Sequence, residues 1–148
     1  MKKLMIALAL IGAFSFISCE NKEAVQSDKL NIIFETDIGN DVDDAMALDM
    51  IYKYLDQDRI NLLAVTINKD GLAPVEFMDI MNTWYGYPDI PVGMIRNGAD
   101  CETDAVNYAK AVVNLKKEDG TPMFARSHGN YDQYPDAHVL YRKILAEM

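Results

Sequence analysis

The sequence predicts an α/β protein with a doubly wound, mostly parallel sheet. Short apolar runs, typical of buried strands, alternate with longer segments of helical periodicity. Each of these runs is followed by a polar loop that contains glycine. Strands that alternate with helices in this way form parallel sheets, and open α/β sheets bind their ligands at the loops after the strands. The alternation begins at Leu30, and the chain before it has a different character.

Residues 1–18 have the pattern of an export signal, with a basic start, an apolar middle and a small residue at the end. The apolar stretch is too short for a convincing membrane span. The segment Phe16-Ile17-Ser18-Cys19 resembles a bacterial lipobox. This resemblance implies that Cys19 is acylated and anchors an exported lipoprotein in the cell envelope, on the periplasmic side or at the outer membrane. A plain secretory signal followed by an incidental cysteine is the alternative.

Residues 19–29 are polar and lack periodicity, which is typical of a flexible tether. If Cys19 carries lipid, Cys101 has no disulfide partner in this sequence, and we expect a free thiol there. Removal of the signal, with Lys2 and Lys3, moves the net charge from −9 to −11. A chain this acidic argues against nucleic-acid binding.

A first strand, Leu30 to Phe34, leads into an acidic loop and then into a helix from Asp43 to Asp58. Four aspartates lie at this junction: Asp37, Asp41, Asp43 and Asp44. Gly39 among them allows a positive φ. Four like charges repel, and carboxylate oxygens select a hard cation, Ca²⁺ or Mg²⁺, to neutralise them. Neighbouring helical residues point about 100° apart, so one of Asp43 and Asp44 can bind metal while the other reaches a substrate hydroxyl.

Simpler explanations of the acidic cluster account for less of it. An ordinary capped surface helix explains Asp41 and one of the helix aspartates, but not the whole set together with Asp37. An EF-hand loop places ligands at alternate positions, and Gly39 would occupy the second of them. A haloacid-dehalogenase-type phosphatase has its nucleophilic aspartate where Glu35 stands.

The segment from Glu35 to Leu48 resembles the signature of the nucleoside hydrolases, the inosine/uridine-preferring N-ribohydrolases, which runs Asp-x-Asp-x-Gly-x-Asp-Asp-Ala-x-Ala. The similarity continues more weakly to the end of the chain. Glu35 replaces the usual first aspartate, and the loop before the helix is two residues longer than the shortest form of the motif. The longer loop leaves open whether Asp41 or Asp43 takes the role of the penultimate aspartate. We favour Asp43 because it directly precedes Asp44.

The resemblance implies hydrolysis of the N-glycosidic bond of ribonucleosides, a reaction of purine and pyrimidine salvage. It also implies a Ca²⁺ ion held by Asp37 and Asp44, with Asp41 as a further candidate ligand, and a water whose pKa the ion lowers. Asp37 would act as the general base on that water. Asp43 would hold a ribose hydroxyl and orient the sugar.

The second strand, Asn61 to Ile67, is nearly continuously apolar and ends in a polar turn. Asn68 and Asp70 in this turn loosely resemble the Gly-Asn element that helps to hold the ribose in the family, and they are candidate substrate-binding residues. An ordinary polar turn is the alternative. A second helix follows from Ala73 to Tyr85, and a third short strand from Pro91 to Ile95.

A third helix is predicted from Glu102 to Glu118, followed by a long polar loop over residues 119–135. Long loops of this kind are often functional. His128 and the glycine after it resemble the His-Gly element that borders the base pocket in the family, and a solvated loop histidine is the alternative. The last segment, Asp136 to Met148, is an amphipathic helix.

In the family, about half of the domain follows such a helix, and it holds the remaining calcium ligands and the histidine that protonates the leaving base. The chain therefore resembles a truncated N-terminal half, and we expect little or no activity from it alone. A sheet that is cut midway leaves an unpaired strand edge, which favours self-association into homo-oligomers. The alternative function is a non-catalytic, lipid-anchored protein that binds calcium and ribose.

Overall fold

A computed structural model describes residues 29–96 and 107–148 of the chain. Several predictions concern parts of the chain outside these residues. They are the signal in residues 1–18, the acylated Cys19, most of the tether, and the free thiol of Cys101.

The described elements follow the predicted alternation of strands and helices. They are β1 (Leu30–Thr36), α1 (Asp43–Asp56), β2 (Ile60–Ile67), α2 (Leu72–Tyr85), β3 (Val92–Met94), α3 (Tyr108–Val113), a 3-10 turn (Tyr131–Gln133) and α4 (Ala137–Glu147). The three strands form one sheet in the order β1-β2-β3, and both strand pairs are parallel. The predicted α/β class and the parallel sheet are therefore confirmed.

The central strand β2 carries most of the core, as its apolar, β-branched composition predicts. Val65 and Ile67 are fully buried and belong to the same hydrophobic cluster as residues of α1 and α2. Tyr52 in α1 is also fully buried, and its hydroxyl donates a hydrogen bond of 2.6 Å to the Asn82 Oδ1 in α2. The two crossover helices therefore pack on the same face of the sheet.

Helix α4 covers the opposite face. Successive residues of a strand point to opposite faces, and Val92 and Met94 of β3 point into the α1–α2 core. Gly93 between them faces α4, since a Cβ atom at Gly93 would lie 3.0 Å from the Ala137 Cα and 3.1 Å from the Leu140 Cδ2. Helices thus cover both faces, and the lack of a side chain at Gly93 lets α4 approach the sheet closely.

Substitution of Gly93 by alanine is expected to lower the free energy of unfolding by about 1–3 kcal/mol, because the added methyl overpacks against the backbone of α4. Urea unfolding measures the change. Gly129→Ala is the matched control, since nothing lies within 4 Å of a Cβ there, and we expect it to change stability by less than about 0.5 kcal/mol. Equal effects of the two substitutions would argue against this packing of α4.

A helix was predicted from Glu102 to Glu118, and the described part of this segment is helical only from Tyr108 to Val113. Helix α3 is capped by Asn107, whose Oδ1 accepts from the Lys110 backbone N–H at 2.8 Å, and it ends at Val113. Residues 115–123 instead form a tight antiparallel turn around Gly120, which has a φ of +84°. The prediction was wrong for residues 114–118, because this turn, with its glycine in a left-handed conformation, replaces the last helical turns.

An apolar stripe runs along the exposed side of α1 and the residue before it. Its members recur every four residues and are each more than a third exposed: Val42, Met46, Met50 and Tyr54. Such a stripe is typical of a surface that another element or chain covers. Self-association remains a prediction. None of the helices in residues 29–96 and 107–148 has the length and apolar character that a membrane crossing requires.

Candidate functional site

The acidic cluster lies at the carboxyl edge of the sheet, where β1 leads into α1. Thr36 and Ile38 are buried on either side of the exposed Asp37, and the Thr36 Oγ1 accepts from the Ile38 backbone N–H at 3.1 Å. Gly39 then takes a φ of +144°, which confirms the predicted positive φ. This turn leaves Asp37 exposed at the end of the strand, beside the start of the helix.

Asp37 and Asp44 are brought together by this turn. The side chains of Asp37 and Thr36 are close enough to Asp44 to affect the pKa of its carboxyl group. Partial burial raises the pKa of Asp44, and repulsion by Asp37 and Asp43 adds to the rise, while the Thr36 hydroxyl opposes it. Val42 occupies the N-cap position before α1, and no side chain caps the helix there. These aspartates therefore do not serve as an ordinary N-cap, and the proximity of two carboxyl groups favours a shared proton or cation.

Tyr108, at the start of α3, lies close to the acidic cluster. Burial raises the pKa of Tyr108 to about 12; the backbone of Gly39 opposes this rise, and the carboxylates of Asp44, Asp43 and Asp37 add to it. Its buried hydroxyl has no hydrogen-bond partner among the described residues. Tyr108 thus remains protonated at neutral pH and offers an unused hydroxyl beside the carboxylates. Sequence analysis missed it, since an isolated tyrosine after a loop carries no distinctive pattern.

Lys69 is a second residue that sequence analysis missed. It is only 5% exposed, and its Nζ donates a hydrogen bond of 2.6 Å to the Asn40 Oδ1 in the acidic loop. The loop after β1 is thereby tied to the loop after β2. The sequence offered one signal for this residue, a lysine just after a strand in a chain with four clustered aspartates. A buried lysine needs a polar partner, and the acidic loop is the place to expect one.

The donor set fits calcium in part. Asp37 and Asp44 offer carboxylate oxygens, which is the ligand class that Ca²⁺ prefers, and the unpartnered Tyr108 hydroxyl lies near them. Within residues 29–96 and 107–148, no group of three or more His, Cys, Asp or Glu side chains could hold a metal ion. Since Ca²⁺ takes about 6–8 oxygen ligands, the pair supplies only part of a coordination shell.

The other predicted site residues lie at varying distances from this pair. Asp41 and Asp43 are exposed, and of these Asp43 is close enough to raise the pKa of Asp44. Asn68 lies at the end of β2, where its Nδ2 donates a hydrogen bond of 3.4 Å to the Glu35 Oε1. Asp70 is exposed. Most of the predicted site residues therefore lie at the carboxyl edge of the sheet. Asn68 follows β2 and contacts Glu35 of the neighbouring strand β1.

His128 contacts α2 instead. Its Nδ1 lies 3.1 Å from the Asp79 Oδ1, and its backbone N–H donates to the Asp79 Oδ2 at 3.0 Å. The imidazole borders a shallow pocket of about 280 Å³ with the segment 88–92, which leads into the amino end of β3. His128 thus lies near the amino end of β3, whereas Asp37 and Asn68 lie at the carboxyl ends of β1 and β2. The structure does not bring His128 together with the other predicted site residues.

A larger cavity of about 440 Å³ opens at the carboxyl edge on the α4 side of the sheet. Asn68 and Glu35 line it, together with residues from β2 and the first turns of α4. Asp37 and Asp44 are not among its lining residues. The ends of β1 and β2 thus separate the acidic pair beside α1 from the cavity beneath α4.

Comparisons with models of protein families, with curated proteins and with solved structures found no match for this chain.

Proposed function

We propose that this chain carries part of a nucleoside-hydrolase-like site, in a doubly wound domain, and that the function is hydrolysis of the N-glycosidic bond of ribonucleosides. The proposal rests on the proximity of the Asp37 and Asp44 carboxyl groups at the carboxyl edge of a parallel sheet, where Asp37 helps to raise the pKa of Asp44. Two neighbouring carboxylates repel each other and are neutralised by a cation between them, and this edge is where α/β proteins bind ligands. The sequence signature from Glu35 to Leu48 supports the same reaction.

In this proposal the acidic residues bind the ion, accept a proton and orient the sugar. Asp37 and Asp44 would hold Ca²⁺, which when bound supplies the positive charge that polarises a water and the ribose hydroxyls. The Asp37 carboxylate accepts the proton of the attacking water. Asp43, exposed in the first turn of α1, accepts a hydrogen bond from a ribose hydroxyl and orients the sugar. Tyr108 stays protonated and can donate a hydrogen bond beside them.

A second candidate function is a non-catalytic protein that binds calcium and ribose. It is supported by the contact between His128 and Asp79, which engages the loop histidine away from the acidic pair. The resemblance gives His128 a place at the border of the base pocket, and the contact with Asp79 instead holds it against α2. For either function we propose an exported lipoprotein anchored to the cell envelope through Cys19.

Incubation of the full chain with inosine and uridine in the presence of Ca²⁺ separates the two candidates. If the chain is active by itself, it releases free base and ribose, and Asp37→Asn then reduces that rate by at least about a thousandfold because the general base and a metal ligand are lost together. A binding protein binds ribose without releasing base. Asp89→Asn, an exposed carboxylate outside the acidic loop, is the control. Absence of both base release and ribose binding would contradict both candidates.

A further inference from the structure

Lys69 is a lysine in the interior of the protein. It lies just after the end of β2, and only 5% of it is exposed. Its aliphatic stem passes beside Gly39 in the loop after β1, since a Cβ atom at Gly39 would lie 3.8 Å from the Lys69 Cδ. Its Nζ then donates a hydrogen bond of 2.6 Å to the Asn40 Oδ1. The side chain therefore crosses from the loop after β2 into the acidic loop after β1.

The acidic loop that Lys69 reaches lies between two carboxyl groups that are close together. Asp37 is at its start and Asp44 is in the first turn of α1, and Asp37 is near enough to affect the pKa of the Asp44 carboxyl group. Between them, residues 38–42 form neither strand nor helix. Asn40 is in the middle of this stretch, so the hydrogen bond from Lys69 holds the loop at its midpoint. The relative position of the two carboxyl groups therefore depends on contacts from outside the loop.

Two further contacts hold the first residues of the loop. The Ile38 N–H donates to the Thr36 Oγ1 at 3.1 Å. The Ala109 N–H donates to the Gly39 carbonyl at 3.4 Å. The hydrogen bond from Lys69 is shorter than both, and its donor is charged, which makes such a bond roughly twice as strong as a neutral one. Of these three contacts, we expect the one from Lys69 to hold the loop most firmly.

The ammonium of Lys69 also carries a positive charge, which repels a cation bound near it. Asp37 is exposed, so water and salt screen the repulsion between Lys69 and an ion held there. The anchoring, by contrast, acts directly on the loop, and ligands that are already in position need no ordering when the ion binds. We therefore expect the positioning of the loop to outweigh the repulsion.

We infer that Lys69 is a positioning residue for the proposed calcium site, and that it acts through Asn40 to hold the acidic loop in the conformation that binds the ion. The inference rests on the proposed function, since Ca²⁺ is the ion proposed at Asp37 and Asp44. It adds a residue from the end of β2 to a site that the sequence signature confines to residues 35–48. Lys69 thereby couples the loops after two neighbouring strands.

Lys69→Met keeps a long apolar side chain and removes the ammonium. With a chelator present, we expect hydrogen exchange of the buried Ile38 amide to be at least about tenfold faster in this variant. In calorimetric titrations with Ca²⁺, we expect the affinity to fall at least about tenfold. Asn40→Ala should have both effects, and the double variant should be no worse than either single one, because both substitutions remove the same hydrogen bond. Lys143→Met makes the same change of charge on the exposed surface of α4 and should alter neither quantity.

Three results would overturn the inference while leaving the proposed function in place. They are unchanged exchange of the Ile38 amide in Lys69→Met, a calcium affinity that is equal or higher in Lys69→Met, and effects of the two substitutions that add in the double variant. If Lys69→Met does not fold, Asn40→Ala carries both measurements, since Asn40 is only partly buried. Absence of calcium binding by the original chain would overturn the proposed function and, with it, the role of Lys69 in calcium binding. The exchange measurement contains no calcium and tests the anchoring of the loop in either case.

Discussion

Replacement of Asp79 by alanine is expected to lower the free energy of unfolding by about 3 kcal/mol, because the carboxylate is a buried acceptor shared by several donors. Asp79 is only 2% exposed. Its Oδ2 accepts from the Tyr131 hydroxyl at 2.8 Å and from the His128 backbone N–H at 3.0 Å, and its Oδ1 accepts from the Ser127 N–H at 3.3 Å. The substitution leaves these donors unpaired and detaches the segment 127–134 from α2.

Urea unfolding of the two proteins measures this loss. Asp89→Ala removes an exposed carboxylate from the nearby loop and is expected to change stability by less than about 0.5 kcal/mol. A loss below about 1 kcal/mol in Asp79→Ala would show that the loop does not depend on this carboxylate.

The same carboxylate determines part of the pH dependence of stability. Burial by itself raises the pKa of Asp79, but hydrogen bonds from Tyr131, the His128 ring and the backbone N–H groups of His128 and Ser127 outweigh it and hold the pKa below its usual value. A lowered folded-state pKa gives stability that is present above the unfolded pKa of about 3.9 and is lost as the pH falls through the folded value. Between about pH 5 and pH 2, the original chain should therefore lose more stability than Asp79→Asn does. If the free energy of unfolding fell equally with pH in the original chain and in Asp79→Asn, this account of Asp79 would be contradicted.

The strands and the acidic turn were predictable from local pattern. The apolar run that ends at Ile67 is long and β-branched, and the structure gives it the central place in the sheet. Gly39 takes the positive φ that its position after a strand and among aspartates predicts. These features depend on residues close together in sequence, which is why periodicity and turn chemistry indicate them.

The polar contacts between distant parts of the chain could not be predicted. Asp79 and His128 are 49 residues apart, and Lys69 and Asn40 are 29 apart. Periodicity indicates the buried face of α2, but it does not show which loop supplies donors to an acid on that face. Tyr108 faces the acidic residues only because α3 packs near Gly39, with the Ala109 N–H donating to the Gly39 carbonyl at 3.4 Å. Sequence analysis therefore predicted the acidic half of the candidate site and missed the groups that pack around it.

Loss of a carboxyl group from the acidic pair is expected to have the largest effect on ligand binding. Asp37 and Asp44 are the two side chains proposed to hold Ca²⁺, and each would supply a charged oxygen ligand. Asp37→Asn and Asp44→Asn keep the size of the side chain and remove the charge. We expect each to weaken calcium binding by at least about a hundredfold, a free-energy change of about 2.8 kcal/mol. Asp41→Asn tests whether Asp41 is also a calcium ligand. A comparable loss of calcium affinity in this variant would make Asp41 a third ligand.

Calorimetric titration of the chain with Ca²⁺ tests the central claim most directly. The proposed site predicts one ion per chain, bound with an affinity that falls at least about a hundredfold in Asp37→Asn and is unchanged in Asp89→Asn. Absence of calcium binding, or binding of equal affinity in Asp37→Asn, would contradict the assignment of the acidic pair as a calcium site and with it the proposed reaction.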